Sequence, residues 1–186
     1  MISPGVNTLA ALTVCMGALT GCSEQVETPQ PLKLTREAIG HYCNMIVADH
    51  PGPKAQIHEM GRPKPLWFSS VRDGLAYMNL PGEAQRVVAF YVHDMSRADN
   101  WETPPDDGIW IKASDAVYVI GSKRRGGMGA LEAVPFKSRE GAQSFTADFG
   151  GKTVSYAEIP KAYILGDDKD HTPGSVQMEG HKGHGG

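Results

Sequence analysis

The sequence predicts an α+β fold made of two duplicated β-β-α-β units packed together. Three observations carry that expectation. The segments "PLWFSSVRDGLAYM" and "AVPFKSREGAQSF" share one plan, an aromatic, then a serine, a basic residue and an apolar stripe at helical spacing. Each is flanked by β-prone runs, "AQIHE" and "RVVAFYV" in the first case, "DAVYVIGS" and "KTVSYAEI" in the second. Between these runs stand glycine and proline clusters of turn composition.

Taken in order, residues 1–21 hold no charged side chain, and Leu9 to Gly21 is a mostly apolar run. It is too short to span a bilayer and has the length of a signal-peptide core. It ends in "LTGC", which resembles the lipobox of bacterial lipoproteins, where small residues admit the peptidase and the thiol of Cys22 accepts the lipid. The basic start usual for such a signal is absent. Residues 22–34 then form a polar, proline-bearing tether, composed like chains that do not fold. Ser23 after the lipid cysteine favours the outer membrane.

The first unit occupies 35–93. "REAIGHYCNMIV" reads as a lead-in and a strand, because Tyr42, Ile46 and Val47 favour extended structure. Two short strands, "AQIHE" and "PLWF", follow. A helix over about 70–79 starts at Ser70, three residues before Asp73 in the capping-box spacing, and "RVVAFYV" is the strongest strand. Residues 94–113 form a connecting loop whose Trp101 and Trp110 either clamp the two units or act as a lid. The second unit, 114–165, has a strand, the glycine turn "KRRGGMG", a returning strand, a helix capped by Ser138 and ended at Gly150, and a closing strand. The tail 166–186 is glycine-rich and poor in apolar residues, a disordered composition; His171, Met178, His181 and His184 there could hold a metal loosely or be solvated.

Composition narrows function. A net charge of −3 supplies no basic surface for nucleic acid, which is not expected as a partner. Gly121 and Gly126 have phosphate-loop spacing, but Gly127 stands where the lysine belongs; "GMGALE" lacks a dinucleotide loop's third glycine, and no G-x-S-x-G or CxxC is present. With Cys15 in the signal and Cys22 lipidated, Cys43 is the one cysteine of the folded part, either buried and inert or kept as a thiolate.

Cys43 sits in "GHYCNM". On a strand, His41, Cys43 and Met45 would share one face, a ridge of imidazole, thiolate and thioether of the kind that selects Cu(I). The same pattern also suits an ordinary core-facing strand. Met128, between glycines in the second unit's turn, could close a site begun on the first unit or make a simple hydrophobic contact.

The segments "HYCNM", "HPGPKAQI", "WFSSVRDG", "YVHDM", "YVIGSKRRGGMGA" and "AVPF", in this order behind a lipobox, resemble the NosL family from about residue 35 to 160. The resemblance implies a periplasmic, lipid-anchored copper chaperone, not an enzyme. It would bind Cu(I) and deliver it for assembly of the catalytic copper-sulfide centre of nitrous oxide reductase. Implied partners are the reductase and its ABC-type membrane assembly complex. The family's C-x-M falls on Cys43 and Met45 and its glycine-turn methionine on Met128, while His41 matches a position whose ligand role stays open. The family fold, two β-β-α-β units, is similar to part of organomercurial lyase, whose chemistry uses two cysteines where this folded part has one. A metal-free lipoprotein adaptor, holding the assembly complex through the aromatic loop, is the alternative.

Overall fold

The computed structural model describes Met1 and residues 28–166. The signal run, Cys22, and the histidines and methionine of the tail lie outside the described residues. No helix among the described residues is long and apolar enough to cross a membrane.

Two antiparallel sheets form the scaffold. The first unit contributes β1 (Ala55–Glu59), β2 (Leu66–Phe68), α1 (Val71–Met78) and β3 (Val87–His93); the second contributes β5 (Val117–Ile120), β6 (Val134–Phe136), α2 (Arg139–Phe149) and β7 (Lys152–Ser155). Their strand orders are the same, β2-β1-β3 and β6-β5-β7, with the first strand of each unit central. The duplicated β-β-α-β plan is therefore present in the connectivity as well as in the sequence pattern. A short strand from the connecting segment, β4 (Trp110–Lys112), extends the first sheet beyond β3, and α3 (Lys161–Leu165) ends the described chain.

One apolar core joins both units. Ile57, Phe68, Val71 and Leu75 of the first pack in the same buried cluster as Tyr118, Ala133, Val154 and Tyr163. Full burial of a side chain such as Phe68 is worth about 1.5–3 kcal/mol, so the cluster ties the units thermodynamically. A second cluster, Val119, Val134, Phe136 and Ala142, lies under α2. Trp101 stacks on Phe145 of α2 at 6.0 Å while its carbonyl accepts from the Gly52 N–H at 2.7 Å, so it clamps the units. Trp110 instead lies on Trp67 and His93 within the first unit.

Four local expectations need correction. Residues 41–47 are not a strand: they form a turn that runs into a single 3-10 turn, Val47–Asp49. Strand propensity loses here because Asn44 adopts a left-handed φ of 55° and the chain closes on itself, with Asn44 N–H donating to Gly40 O and Gly40 N–H to Met45 O. Ser70 precedes α1 but makes no side-chain cap bond. Its place is taken by Glu132 of the other unit, whose Oε1 accepts from the Arg72 N–H at 2.9 Å. By contrast, Ser138 does cap α2 through Gly141 N–H, and Gly150 ends that helix at φ 69°. The tether's last residues lie along the outer face of the first sheet: Gln56 exchanges two hydrogen bonds with Leu32, Tyr91 donates to Pro29 O, and Leu34 is buried. That cover is why all five residues of β1, on both faces, are buried. Finally, 94–113 is not wholly loop, since β4 pairs with β3 at its end.

Candidate functional site

The two turns that carry the soft donors meet at the seam between the units. Residues 40–45 make the first. Gly40 N–H closes on Met45 O at 2.8 Å, and His41 N–H donates to Trp67 O at 2.7 Å, which pins the turn to the end of β2. Cys43 Sγ folds back over the Cα of Gly40, where any Cβ would collide with the sulfur. A residue larger than glycine at position 40 would therefore displace the thiol. The sulfur lies 3.8 Å from Ser69 Oγ, at the junction of β2 and α1. Cys43 is half-buried and is the free cysteine among the described residues.

The second turn is the tip of the β5–β6 connection. Gly126 N–H bonds to Ala130 O, Gly129 N–H bonds to Gly126 O, and Arg125 pairs with Leu131 across the base. Gly129 sits at φ 76°, a conformation open to glycine at little cost. Gly127 has a different reason to be glycine. A Cβ there would lie 2.6 Å from Ser69 O and 2.7 Å from His50 Cβ, both in the first unit. Ser69 thus touches both turns, through its hydroxyl to Cys43 and through its carbonyl to the residue before Met128.

Of the residues singled out by sequence, Cys43, Met45 and Met128 stand on these two turns. Met45 is 42% and Met128 52% exposed, so neither thioether is consumed by the core. His41 belongs to the same turn, but its ring lies among aromatics, 5.4 Å from Tyr77, 5.7 Å from Phe68 and 5.0 Å from Tyr42. Behind it, the Tyr77 hydroxyl is 2.7 Å from both Glu59 Oε1 and Glu83 Oε2. Burial would raise Glu59, yet Tyr77 and the guanidinium groups of Arg86 and Arg62 hold it below the usual carboxylate range. A thiol, two accessible thioethers and an imidazole make a soft donor set suited to a monovalent d10 ion.

Three neighbours escaped sequence reasoning: Ser69, Gly127 and His50. His50 Nδ1 lies 3.1 Å from Gly127 O, across the seam. Glu132, also at the seam, is fully buried, and burial pushes its carboxyl up to about 7 against the pull of the Arg72 and Ala133 N–H groups. Lys54, buried at the start of β1, is pulled down to about 8 by burial. No spacing signal marks Ser69, Gly127, His50 or Glu132, because each makes its seam contact with chain more than twenty positions away.

Fold and site define a class: a duplicated α+β scaffold that presents sulfur donors on two turns at its seam. The NosL family model matches residues 31–164, and the chain belongs to the NosL family. It is 45% identical over 155 residues to the copper-binding lipoprotein NosL of Achromobacter cycloclastes, covering 83% of this chain and 80% of that one. It is 35% identical to the copper-binding lipoprotein NosL of Stutzerimonas stutzeri, covering 97% and 96% of the two chains. The crystal structure of the copper chaperone NosL from Shewanella denitrificans superposes with a TM-score of 0.66 at 32% identity, over 72% of this chain and 97% of that one.

Proposed function

We propose that this protein is a Cu(I) metallochaperone that turns over no substrate and delivers copper for assembly of the catalytic copper-sulfide centre of nitrous oxide reductase. The observation that carries the reading is the seam: the thiol of Cys43 and the half-exposed thioethers of Met45 and Met128 lie on two turns that share Ser69 as a neighbour. Thiolate and thioether ligands favour Cu(I) over harder ions. The anionic sulfur supplies the larger electrostatic share, and the neutral thioethers hold the ion while leaving it open to exchange. Exposure of both methionines suits a site that must surrender its cargo. The relatives' names, copper-binding lipoprotein and copper chaperone, support the same reading.

On this reading Cys22 carries the lipid, and the protein is anchored in the periplasm, at the outer membrane. It works with the ABC-type assembly complex and, directly or through it, with the reductase. Anaerobic Cu(I) titration against a competing chelator tests the core of the proposal. One Cu(I) per chain is expected, with tight binding abolished in Cys43→Ser while the fold persists, and a smaller loss in Met45→Ala or Met128→Ala. Unchanged affinity in folded Cys43→Ser would sink it. Delivery is tested in cells lacking the protein: the wild type, and not Cys43→Ser, should restore the absorption of the reductase's copper-sulfide centre.

A further inference from the structure

Trp67, Gln56, Tyr91 and Lys112 are paired neighbours across β2, β1, β3 and β4, so their side chains form one row on one face of the first sheet. The chain ahead of the first unit follows that row. Thr28 and Lys112 line the same cavity, Pro29 O accepts from the Tyr91 hydroxyl at 2.8 Å, Leu32 exchanges hydrogen bonds with the Gln56 amide, and His41 N–H donates to Trp67 O. Residues 28–41 therefore cross from the β4 edge to the β2 edge, three strand spacings or about 14 Å. The Cys43 turn begins where the crossing ends, so the entry of the chain and the Cys43–Met128 seam lie at opposite edges of the sheet.

The entry edge carries a surface that the fold leaves unused. β4 pairs only with Tyr91–His93, so Val87–Phe90 has β1 on one side and no strand on the other among the described residues. All four residues are apolar and half-buried. His93 N–H donates towards β1, to Lys54 O, so by alternation the Phe90 N–H points to the open edge. An apolar strand edge left open to water is a liability that charge or a cover normally removes. Beside it lies a cavity of about 320 Å³, lined by Thr28, Met78, Val87, Phe90, Lys112 and Tyr156. That volume is at the lower end of the roughly 300–1,000 Å³ of ligand pockets. Its walls are chiefly apolar, and Lys112 is exposed.

The length of chain ahead of Thr28 decides what can reach this cavity. Six peptide units separate Cys22 from Thr28, a span of at most about 20 Å when fully extended. With lipid on Cys22, Thr28 and the cavity it lines are confined to that distance from the bilayer.

We infer that the Val87–Phe90 edge and its cavity are a phospholipid-binding surface: an acyl chain enters the cavity, the Lys112 ammonium meets the phosphate, and the protein lies on the bilayer by this edge with the seam turned to the aqueous side. This rests on the reading above that Cys22 carries the lipid. Lysine suits the rim, because its stem covers apolar wall while its head stays at the polar boundary. The short link keeps the surface at a high effective concentration of lipid, so a weak site is filled.

For the test, full-length lipidated protein is placed in vesicles of phosphatidylethanolamine and phosphatidylglycerol, the latter with a photoreactive diazirine in one acyl chain. Adducts formed on illumination are mapped by mass spectrometry. Adducts are expected on Val87–Phe90, Met78 and Tyr156, and none on Met45 or Met128. Lys112→Glu, a surface change, should lower the yield at this edge roughly fivefold or more. Ala89→Glu, which adds a carboxylate beside the cavity, should abolish it, with Cu(I) binding unchanged in both variants. Should Ala89→Glu not fold, the wild-type map and Lys112→Glu decide. Adducts spread over both edges, or missing from this edge in a chain whose mass shows lipid on Cys22, overturn the inference and leave the anchor reading standing. A chain without lipid on Cys22 overturns both. Hydrogen exchange separates the other occupants: the Phe90 amide should be protected only on vesicles. Protection without vesicles that is independent of protein concentration assigns the edge to residues 23–27, and protection that grows with concentration assigns it to a second copy; either result overturns the inference.

Discussion

Gly127→Ala probes whether the seam geometry, and not stability in general, sets copper affinity. The added methyl would stand 2.6 Å from the Ser69 carbonyl oxygen and 2.7 Å from His50 Cβ. Neither obstacle is the far end of a flexible side chain, so neither can swing aside. The turn must retreat by roughly 0.7–0.8 Å to reach the 3.4 Å edge of ordinary contact. Overpacking of this kind costs about 1–3 kcal/mol. Ligand distances in metal sites hold to about ±0.2 Å, so a retreat several times larger pulls Met128 out of range. We expect a fall of roughly 10–100-fold in Cu(I) affinity, the scale of lost supporting contacts around a metal. Gly61→Ala is the control: in the β1–β2 turn, at φ 73° with empty space around it, a methyl there incurs about 1–2 kcal/mol of left-handed strain and moves nothing at the seam. Urea unfolding and chelator competition are measured on both. The reasoning is refuted if Gly127→Ala keeps wild-type affinity, or if Gly61→Ala loses as much, since affinity would then follow stability.

Two further outcomes follow from the same contacts. Gly40→Ala should leave the unfolding free energy within about 1 kcal/mol of wild type, because the atom it strikes is the movable Cys43 sulfur, yet it should weaken Cu(I) binding; a folded variant with unchanged affinity would count against Cys43 as a ligand in this rotamer. Glu132→Gln should change the pH dependence of stability. The native carboxyl titrates near 7, above its ordinary value of 4.5, so the folded state holds the extra proton between those limits. Stability from this group is present below about 4.5, drains as pH rises to about 7, and is flat beyond, a change on the order of 3 kcal/mol. His93, kept neutral by burial and disfavoured further by the Lys54 charge, pulls the opposite way below 6.5, so the quantity to read is wild type minus variant across pH 5–8. A constant difference over that range would rule out the raised carboxyl.

The parts that local chemistry decides were legible in the sequence. β-branched and aromatic runs marked β3 and β5, and Ser138 with Gly150 bounded α2, because those signals act within a few residues. Ser70 and Asp73 carry the same signature, yet Ser70 makes no side-chain cap bond, and the first-turn N–H of Arg72 is satisfied by Glu132, sixty residues away. The Cys43 segment was misread for a related reason. Tyr42, Ile46 and Val47 favour a strand, but the contact with Trp67 O and the fold of the sulfur over Gly40 select a turn. The ridge of His41, Cys43 and Met45 therefore disappears as a strand face. What places sulfur from both units at one seam is loop closure and docking. Met128 stood out in the sequence because a large apolar side chain between glycines of a turn calls for a reason, and the structure leaves it half-exposed. Ser69 and His50 did not, because their significance exists only across the seam.

Duplication also accounts for why the proposed site draws on only one of two related connections. The β1–β2 connection spans 60–65, whereas its counterpart between β5 and β6 spans 121–133. Both carry a Met-Gly pair with the glycine at positive φ, Met60-Gly61 and Met128-Gly129, and both methionines are exposed. The short version stays at the edge of its own sheet. The long one crosses to the first unit, where Gly126 and Gly127 let its backbone lie against Ser69 and His50, and where Glu132 at its base takes over the cap of α1. Lengthening one connection thus does two things with one segment: it brings the Met128 turn against Ser69, the neighbour of the Cys43 thiol, and it makes the first turn of α1 depend on the units being docked. Separation of the units would expose the buried Glu132 carboxyl and uncap a helix, so on the proposed chaperone reading copper release through domain opening is disfavoured relative to exchange at the half-exposed methionines. An acceptor that supplies its own soft ligand at that surface can take the ion while the scaffold stays closed, and amide protection of α1 should accordingly remain unchanged between the copper-loaded and copper-free protein.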